Sequence, residues 1–438
     1  MTSTRTCSTA ARGIDGTGRI HVTEELQQLI CDAAQSGVPA VITEGVYLTA
    51  PLFVPSNAHI MLERGAVIRG TVDEDRIPVI PTRAAGIECE WYPGVLNVND
   101  AHDVLIEGPG AIDGQGPHWW EKYWGVDGHG GMRACYDGRG VRWACDYDCM
   151  RPRNVVVMES HDVTLRDFTS LRSGFWNIHI CYSDHVHVDA VRILGGEGPS
   201  TDGIDIDSSH DVLVERCVTE CNDDSICIKS GRDADGIRVG RPCHHITVRD
   251  CQINAGFGVT IGSEVSSGVH DIVVEDIAFA GTDCGFRIKS SEPRKGYIRD
   301  VTVENLRMTD VLYPIHICLN WNPGYSLCTL PDDYEGAVSP LWEKLLDRSE
   351  LGRPDTEVSN VSIRHVRQVS TADALRPSRA FNIEGFASQP IRGLTLEDLD
   401  LDCSDFGIIE HVEGMRFNRV SVSARGSRDA SLDGYDNR

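Results

Sequence analysis

The chain has few positive charges for its length. Its 438 residues carry 41 Lys and Arg against 66 Asp and Glu, which gives a formal net charge of -25. This excess of negative charge argues against nucleic acid and anionic membranes as partners. It does not exclude a small acidic substrate, because Arg and Lys side chains gathered in one cleft can reverse the local field.

Segments that would insert into a membrane or direct secretion are also lacking. No run approaches the roughly 18 consecutive apolar residues of a membrane span. Residues 1–18 have no basic start followed by an apolar stretch. We therefore expect a cytoplasmic protein, or a secreted one whose signal has been removed; the oligomeric state stays open.

Cysteine is present, but not in the spacing of a metal centre. Cys217 and Cys251 occupy the same position of a repeat described below, which predicts stacked buried thiols. Cys135, Cys145 and Cys149 lie in one polar insertion without the matching His or Cys pair of a zinc site. We expect no metal and no cofactor, and a disulfide among these three cysteines stays open.

A turn followed by alternating apolar residues recurs along the chain. In the regular middle these phrases fall at 161–164, 184–187, 210–213, 245–248, 270–273 and 299–302. The period is too short for a strand and a helix at every step and is typical of coils of short strands. The sequence therefore predicts an all-β fold, a right-handed parallel β-helix, as a single domain over residues 1–438. The His and Asp residues that precede each strand are predicted to be turn residues.

A helix is predicted at the start of this solenoid. Residues 21–37 place apolar side chains on one face, with Thr23 as the N-cap and Gly37 just past the end. Such a helix would cover the open end of the first coil. Residues 38–70 then predict strands.

Two insertions break the repeat. Residues 118–150 are rich in glycine and aromatic residues, and residues 320–358 predict a short helix near 341–346. Long insertions between coils are commonly functional loops. Their aromatic side chains either stack on sugar rings or form the core of the loop; those in the first insertion are Trp119, Trp120, Trp124 and Trp143.

Between residues 200 and 289, four strand phrases superimpose on their apolar-x-apolar triplets, each of which predicts a strand with one buried face. Neighbours in such a superposition lie roughly 5 Å apart on successive coils. Asp202 and Asp224 should therefore face each other, with Asp223 beside them. The column so defined contains Trp176, Asp202, Asp224, Phe257, Cys284 and Tyr313.

Paired carboxyl groups suit hydrolysis of a glycosidic bond. One carboxyl must carry a proton for the leaving oxygen while another stays ionised to activate water. Like charges at short range raise one pKa and so keep a proton available near neutral pH. Asp is also common in turns, but three aspartates in register, followed by Arg287 and Lys289 two coils on, favour the catalytic interpretation.

Taken in order, the motifs resemble glycoside hydrolase family 28, the polygalacturonases and related pectin hydrolases, over nearly the whole chain. The phrases that carry the resemblance are Gly108-Pro-Gly-Ala-Ile-Asp-Gly-Gln-Gly116, Arg151-Pro-Arg153, Ser173-Gly-Phe-Trp-Asn-Ile-His179, Thr201-Asp-Gly203, Asn222-Asp-Asp224, Ile228-Lys-Ser-Gly231, Ile261-Gly-Ser-Glu264 and Arg287-Ile-Lys289. The resemblance implies a right-handed parallel β-helix that cleaves an acidic pectic oligosaccharide with inversion.

The resemblance also implies roles for individual residues. Asp223 would be the general acid, and Asp202 and Asp224 would hold the attacking water. Inversion requires room for that water, a carboxyl separation of about 6.5–9.5 Å. The predicted substrate-binding residues are Arg287 and Lys289, which would bind a uronic carboxylate, together with Lys229, Phe257, Trp176, His179 and Tyr313.

Two departures from the family pattern concern the substrate. Family polygalacturonases usually have Asn-Thr-Asp where this chain has Ser200-Thr201-Asp202, and Gly-His-Gly where it has Gly256-Phe257-Gly258. An apolar ring at Phe257 favours a sugar with an apolar edge, which points to a rhamnogalacturonan-like substrate over plain polygalacturonate. Two alternatives stay open: a carbohydrate-binding β-helix with altered catalysis, and a uronide lyase or epimerase.

Overall fold

The structure is a computed structural model that describes residues 7–371, 374 and 376–425, and its strands wind into a parallel β-helix. Each full coil contributes up to three short strands, and every strand pairs in parallel with its counterpart on the next coil. Apolar side chains that alternate along these strands point inward, so successive coils stack their buried residues. The predicted right-handed parallel β-helix is confirmed.

One sheet carries the candidate site, and we call it the floor sheet. Its eleven parallel strands are Leu52–Phe53, Leu96–Asn99, Val155–Met158, Ile178–Cys181, Ile204–Asp207, Ile226–Lys229, Val259–Ile261, Cys284–Lys289, Tyr313–Cys318, Arg379–Glu384 and Asp405–Glu410. Each strand pairs with the next in this order.

The other strands form the two remaining faces of the solenoid. One face contains Cys7–Ser8, Ala40–Ile42, His59–Leu62, His102–Glu107, His161–Arg166, Asp184–Asp189, His210–Glu215, Cys243–Arg249, Val269–Glu275, Tyr297–Thr309, Glu357–Val369, Ile391–Cys403 and Arg416–Ala424. The other contains Thr17–His21, Gly45–Thr49, Ala66–Gly70, Ala111–Asp113, Thr169–Leu171, Arg192–Gly196, Val218–Cys221, Gln252–Ile253 and Ala278–Ala280, while Val412–Glu413 pairs with the start of Ile391–Cys403.

The solenoid interior is a continuous apolar stack. In the floor sheet, Ile204 pairs with Ile226 and Ile226 with Val259, and all three are fully buried. The hydrophobic cluster to which they belong extends from Val22 to Cys403. Burial of each such side chain stabilises the fold by about 1.5–3 kcal/mol, so the stacking of equivalent residues fixes the register of the coils.

The recurring His and Asp residues lie near the start of their strands, and not in turns before them as predicted. Five of them adopt the left-handed backbone conformation, with φ near +55° at Asp162, His185, Asp211, His245 and Asp271. Asp and His tolerate this conformation better than branched residues do. These residues therefore have a backbone role outside the candidate site.

The N-terminal helix covers the first coil and spans Thr23–Ser36. Its apolar face, including Leu26 and Leu29, is buried in the core, and Gly37 ends it in the left-handed conformation. The prediction of Thr23 as the N-cap is wrong, because that position is held by Val22 and makes no side-chain cap. The Thr23 hydroxyl instead accepts a hydrogen bond from the backbone N–H of Ala50, 2.9 Å away.

The floor sheet is buried on both faces, which corrects the prediction of one buried face. All four residues of Ile204–Asp207 and of Ile226–Lys229 are buried. The two predicted insertions cover the outer face and contain the helices Gly116–Trp124, Gly131–Gly138, Arg142–Asp148, Pro323–Ser326 and Pro340–Leu346.

Elements that the sequence did not predict are the antiparallel hairpin Ile80–Ala84 and Ile87–Trp91, the helix Asp233–Val239, and the short helical turns Thr9–Arg12, Glu74–Arg76 and Glu292–Arg294.

The two insertions pack on each other above the floor sheet. Trp143 of the first and Trp342 of the second meet edge to face at 5.1 Å, and the Trp143 indole donates to the Thr329 carbonyl. Trp119, Trp120 and Trp143 are buried, so these aromatic residues form loop cores. Within the described part of the chain, no helix is long and apolar enough to cross a membrane.

Candidate active site

The predicted column exists as a row across the floor sheet. The strand register places Asp202 beside Asp224, and Asp224 beside Phe257. One carboxyl oxygen from each of Asp202, Asp223 and Asp224 lies within 4.8 Å of the other two. These oxygens thus lie nearer to one another than the expected separation of about 6.5–9.5 Å between carboxyl groups, and that separation stays a prediction.

These aspartates open into a cavity of about 250 Å³ between the floor sheet and the insertions. Its walls include residues of the inserted helices Gly131–Gly138, Arg142–Asp148 and Pro323–Ser326. Five acidic and five basic residues line it: Asp146, Asp202, Asp223, Asp224, Glu264, Arg133, Arg142, Lys229, Arg287 and Lys289. The cavity is thus close to neutral in a protein of net charge -25, and the local field permits an anionic ligand.

Asp224 is held in its ionised form by cations. Burial by itself raises its pKa, but Lys289, then Arg287 and Lys229, outweigh burial and lower the pKa to about 2. The Lys289 ammonium lies 2.7 Å from Oδ2, and the Arg287 guanidinium lies 3.6 Å from Oδ1. Asp224 is therefore a carboxylate throughout the neutral range.

Asp202 and Asp223 have the opposite tendency. Burial, followed by the charges of Asp205 and Asp223, raises the pKa of Asp202 well above its ordinary value. Burial and the charge of Asp224 raise the pKa of Asp223. The site thus combines one carboxylate of lowered pKa with two neighbours of raised pKa, which is the division of roles that acid–base hydrolysis needs.

Lys229 lines the cavity but is surrounded by carboxyl groups. Its ammonium lies 3.4 Å from both Asp202 and Asp205 and 3.3 Å from Glu264, and it also lies 4.6 Å from the centre of the Trp176 ring. Burial lowers the pKa of Lys229, but these acidic neighbours raise it well above its usual value. Lys229 therefore compensates buried negative charge, although the sequence predicted a substrate-binding role.

Phe257 is half-buried and lines the cavity beside Asp224. The Arg287 guanidinium lies 4.6 Å over its ring, and the Lys289 ammonium lies 4.7 Å over the ring of Trp321. Cations stack favourably on aromatic faces. Part of the apolar wall expected from Phe257 is therefore covered by Arg287.

Two predicted substrate-binding residues do not line the cavity. His179 is fully buried beneath it, 2.7 Å from Arg153 and 3.5 Å from Asp207. Tyr313 is buried at the end of the column and stacks on His316. The predicted direct contact of His179 and Tyr313 with substrate is not supported by these positions.

Three central residues of the apolar-x-apolar triplets, to which the sequence assigned no role, form a second row beneath the carboxyl groups. In strand order they include Asp205, Cys227 and Thr260, and all three are fully buried. Burial raises the pKa of Asp205 to about 8 against the lowering effect of Lys229. One signal in the sequence indicated this row: a polar residue stands between two apolar residues of a strand. A strand with only one buried face would expose that polar residue, so its burial was not expected.

The donor sets near the site do not suit a metal ion. In the group of His179, Cys181 and Asp207, Arg153 can only donate, so His179 Nδ1 accepts its hydrogen bond and Nε2 carries the proton. That nitrogen therefore has no lone pair for a cation. Asp202 and Asp224 lie against Lys229 and Lys289, whose charges oppose a further cation.

The cysteines are thiols in the described structure. Cys217 and Cys251 are buried in adjacent coils, as predicted, because Val218 pairs with Gln252. Cys135, Cys145 and Cys149 are all free. None of these three belongs to a potential metal-binding group among the described residues.

Comparisons with known sequences support the resemblance. The sequence model of glycosyl hydrolases family 28 matches residues 82–333. A probable polygalacturonase of Vitis vinifera is 26% identical over 399 residues, which cover 88% of this chain and 72% of that protein. A probable polygalacturonase of Arabidopsis thaliana is 31% identical over 352 residues, covering 76% of this chain and 69% of that protein.

Solved structures show the same architecture. A hyperthermoactive exopolygalacturonase from Thermotoga maritima superimposes with a TM-score of 0.74 at 25% identity, over 94% of this chain and 91% of that one. A family 28 exopolygalacturonase from Yersinia enterocolitica gives a TM-score of 0.72 at 18% identity, over 97% and 79% of the two chains, and this likeness concerns the fold alone. With the sequence match over more than half of its length, the chain belongs to glycosyl hydrolases family 28.

Proposed function

We propose that the protein hydrolyses a glycosidic bond in a pectic, polygalacturonate-type chain, at a uronic acid residue. One observation carries the proposal: the cavity holds the carboxylate Asp224 next to Asp223, whose pKa is raised. Family membership and relatives named polygalacturonases support the substrate class.

In this mechanism Asp223 donates its proton to the leaving glycosidic oxygen as the C–O bond breaks. Asp224 accepts a proton from a water molecule, whose oxygen bonds to the anomeric carbon from the opposite side. Asp202, which retains a proton, orients the same water by hydrogen bonding. Net hydrolysis consumes one water, and attack opposite the leaving group inverts the configuration.

The uronic carboxylate is proposed to bind at Arg287 and Lys289. Both side chains line the cavity, on one strand of the floor sheet. Each already contacts Asp224, so the pair serves the base and the substrate together. A charge-assisted hydrogen bond from such a cation contributes about 1.5–3 kcal/mol.

We further propose that cleavage occurs at a chain end. The inserted helices approach the three aspartates from both sides, through Arg133 and Arg142 of one insertion and Trp321 and Tyr325 of the other. A cavity of about 250 Å³ lies below the usual 300–1,000 Å³ of ligand pockets. It is suited to one terminal sugar more than to the middle of a polymer.

The deciding experiment is incubation with a panel of pectic oligosaccharides, scored for new reducing ends, ultraviolet absorbance and product length. Hydrolysis from a chain end releases monosaccharide from the first turnovers without absorbance at the wavelength of unsaturated uronides. An absorbing product would identify a lyase, and binding without products would identify a binding protein. A ladder of intermediate lengths would contradict action at the chain end. The panel includes a rhamnose-containing substrate, because Phe257 stands beside Asp224.

A further inference from the structure

Asp202 and Asp224 occupy equivalent places on adjacent coils, yet the structure surrounds them differently. Each stands two residues before the first isoleucine of its strand, and the register brings the two side by side. A symmetric pair of this kind does not by itself decide which carboxyl group takes the proton from water. Lys289 and Arg287 contact only Asp224 of the two, and the residues beneath the two aspartates differ as well.

Beneath Asp224 the floor sheet presents neutral donors. The Thr260 hydroxyl donates to Oδ1 over 2.8 Å, and the Cys227 thiol lies 3.4 Å from Oδ2 and 3.1 Å from the carbonyl oxygen of Gly262. Cys227 and Thr260 are register partners on neighbouring strands, and both are fully buried. They therefore form a fixed platform for the carboxylate.

Beneath Asp202 the floor sheet presents a carboxyl group in the place that a thiol occupies beneath Asp224. Asp205 follows Asp202 by three residues, just as Cys227 follows Asp224 by three. The floor residue under Asp202 is thus a second carboxyl group, where a hydroxyl and a thiol lie under Asp224. A donor stabilises an ionised carboxyl group, whereas a second carboxyl group favours retention of a proton.

We propose that Thr260, assisted by Cys227, is a positioning residue that fixes Asp224 as the carboxylate that accepts the proton from water. This inference rests on the proposed function. Thr260 is suited to the role because its hydroxyl carries no charge: it orients Asp224 Oδ1 without competing with the substrate for the cationic groups.

Charged and titratable groups also surround Asp224 and must be separated from the effect of Thr260. Those that face it are Asp202, Asp205, Asp223, Lys229, Arg287, Lys289 and His316. Replacement of Thr260 by valine leaves every one of them in place and removes only the hydroxyl. The difference between the two proteins then reports the hydrogen bond.

The test compares Thr260→Val with wild-type protein in pH profiles of kcat on an oligogalacturonide. We expect the acid limb to move up by about one pH unit and kcat at the optimum to fall roughly tenfold, while KM changes less than twofold. Thr260→Ser restores both quantities because it restores the hydroxyl. Cys227→Ala has a smaller effect, about twofold, since a thiol is a weak donor.

Thr49→Val is the matched control, because Thr49 is another fully buried threonine whose hydroxyl makes a hydrogen bond, 2.7 Å to the Ala50 carbonyl, and it does not line the cavity. It should leave the pH profile unchanged. An unshifted acid limb and unchanged kcat in folded Thr260→Val would overturn the inference, as would failure of Thr260→Ser to restore them. Should Thr260→Val fail to fold, Thr260→Cys takes its place with a smaller expected shift, and an unshifted limb there also overturns it.

Titration of ¹³C-labelled aspartate by NMR makes the outcome independent of turnover. A wild-type protein inactive on every pectic substrate would refute the proposed function. The carboxyl titration of Asp224 in Thr260→Val would still test the inference in that case: the expected result is a higher pKa than in wild type, and an equal pKa refutes the inference.

Discussion

Replacement of Lys289 by methionine tests the electrostatic basis of the site most directly. The Lys289 ammonium is the closest cation to Asp224, 2.7 Å from Oδ2. The pKa of Asp224 is about 2 against an ordinary 3.8, a depression of roughly two units that corresponds to about 2–3 kcal/mol. Because burial acts in the opposite direction, the cations together contribute more than this.

In Lys289→Met the burial of Asp224 remains and its main counter-charge is lost. We therefore expect the pKa of Asp224 to rise by at least about two units. The acid limb of the kcat profile, which in wild type lies near pH 2, should then appear above about pH 4. The shift is measured in pH profiles of kcat at saturating substrate. Both proteins are given the same substrate, so its own ionisation affects the two profiles equally.

Stability should change with a defined sign. A carboxyl group whose pKa is depressed on folding stabilises the folded protein above its unfolded value of 3.8, and this contribution is lost as the pH falls towards 2. Lys289→Met lacks it at pH 7, and loss of one partner of a buried pair lowers the free energy of unfolding by roughly 3–5 kcal/mol. Denaturant titration at pH 7 measures this loss.

Lys295→Met is the matched control for this variant. Lys295 forms a partly buried pair, 2.6 Å from Asp355, and does not line the cavity. It should lose stability while the acid limb of kcat stays where it is in wild type. A limb that fails to move in Lys289→Met, or that moves equally in Lys295→Met, would refute the assignment of Asp224 as the carboxylate held by Lys289.

Four further predictions concern the chemistry and the substrate. Asp223→Asn should lower kcat at least ~100-fold with an unchanged circular dichroism spectrum, and wild-type-like turnover would remove Asp223 from the mechanism. NMR of the first-formed anomer should show inversion. Retention would assign one aspartate as the nucleophile, and this outcome is worth testing because the carboxyl oxygens lie within 4.8 Å of one another. Arg287→Ala should raise KM for a uronide by 10- to 100-fold, the effect of about 1.5–3 kcal/mol, and much less for its methyl ester; equal losses would mean that Arg287 serves only Asp224. Phe257→His should raise activity on polygalacturonate relative to a rhamnose-containing substrate, and an unchanged ratio would end the specificity argument from Phe257.

The arrangement of the column was predictable from the sequence for a simple reason. Side chains alternate along a strand, and successive coils of a β-helix stack equivalent residues. Superposition of the isoleucine-containing triplets therefore placed Asp202, Asp224 and Phe257 side by side as the strand register does. The regular recurrence of His and Asp along the chain likewise indicated that residues such as Asp211 and Asp271 lie outside the candidate site.

The same local reasoning misplaced His179 and overlooked Thr260. Both occupy the central position of a triplet, which a half-exposed strand would direct towards solvent or substrate. The hairpin at residues 80–91 and the two insertions cover the outer face of the floor sheet instead, and they come from distant parts of the chain. His179 is consequently buried against Arg153, and Thr260 is buried beneath Asp224.

The sequence by itself determined the fold, the register of the coils and the three aspartates, because these depend on a repeated pattern of neighbouring residues. Only the tertiary structure decided which carboxyl groups have a raised pKa and which a lowered one. That choice depends on distances to groups remote in sequence, such as Lys289 at 2.7 Å from Asp224 and Lys229 at 3.4 Å from Asp202. Electrostatic interactions fall with distance and strengthen with burial, and neither quantity can be read from the order of residues along a chain.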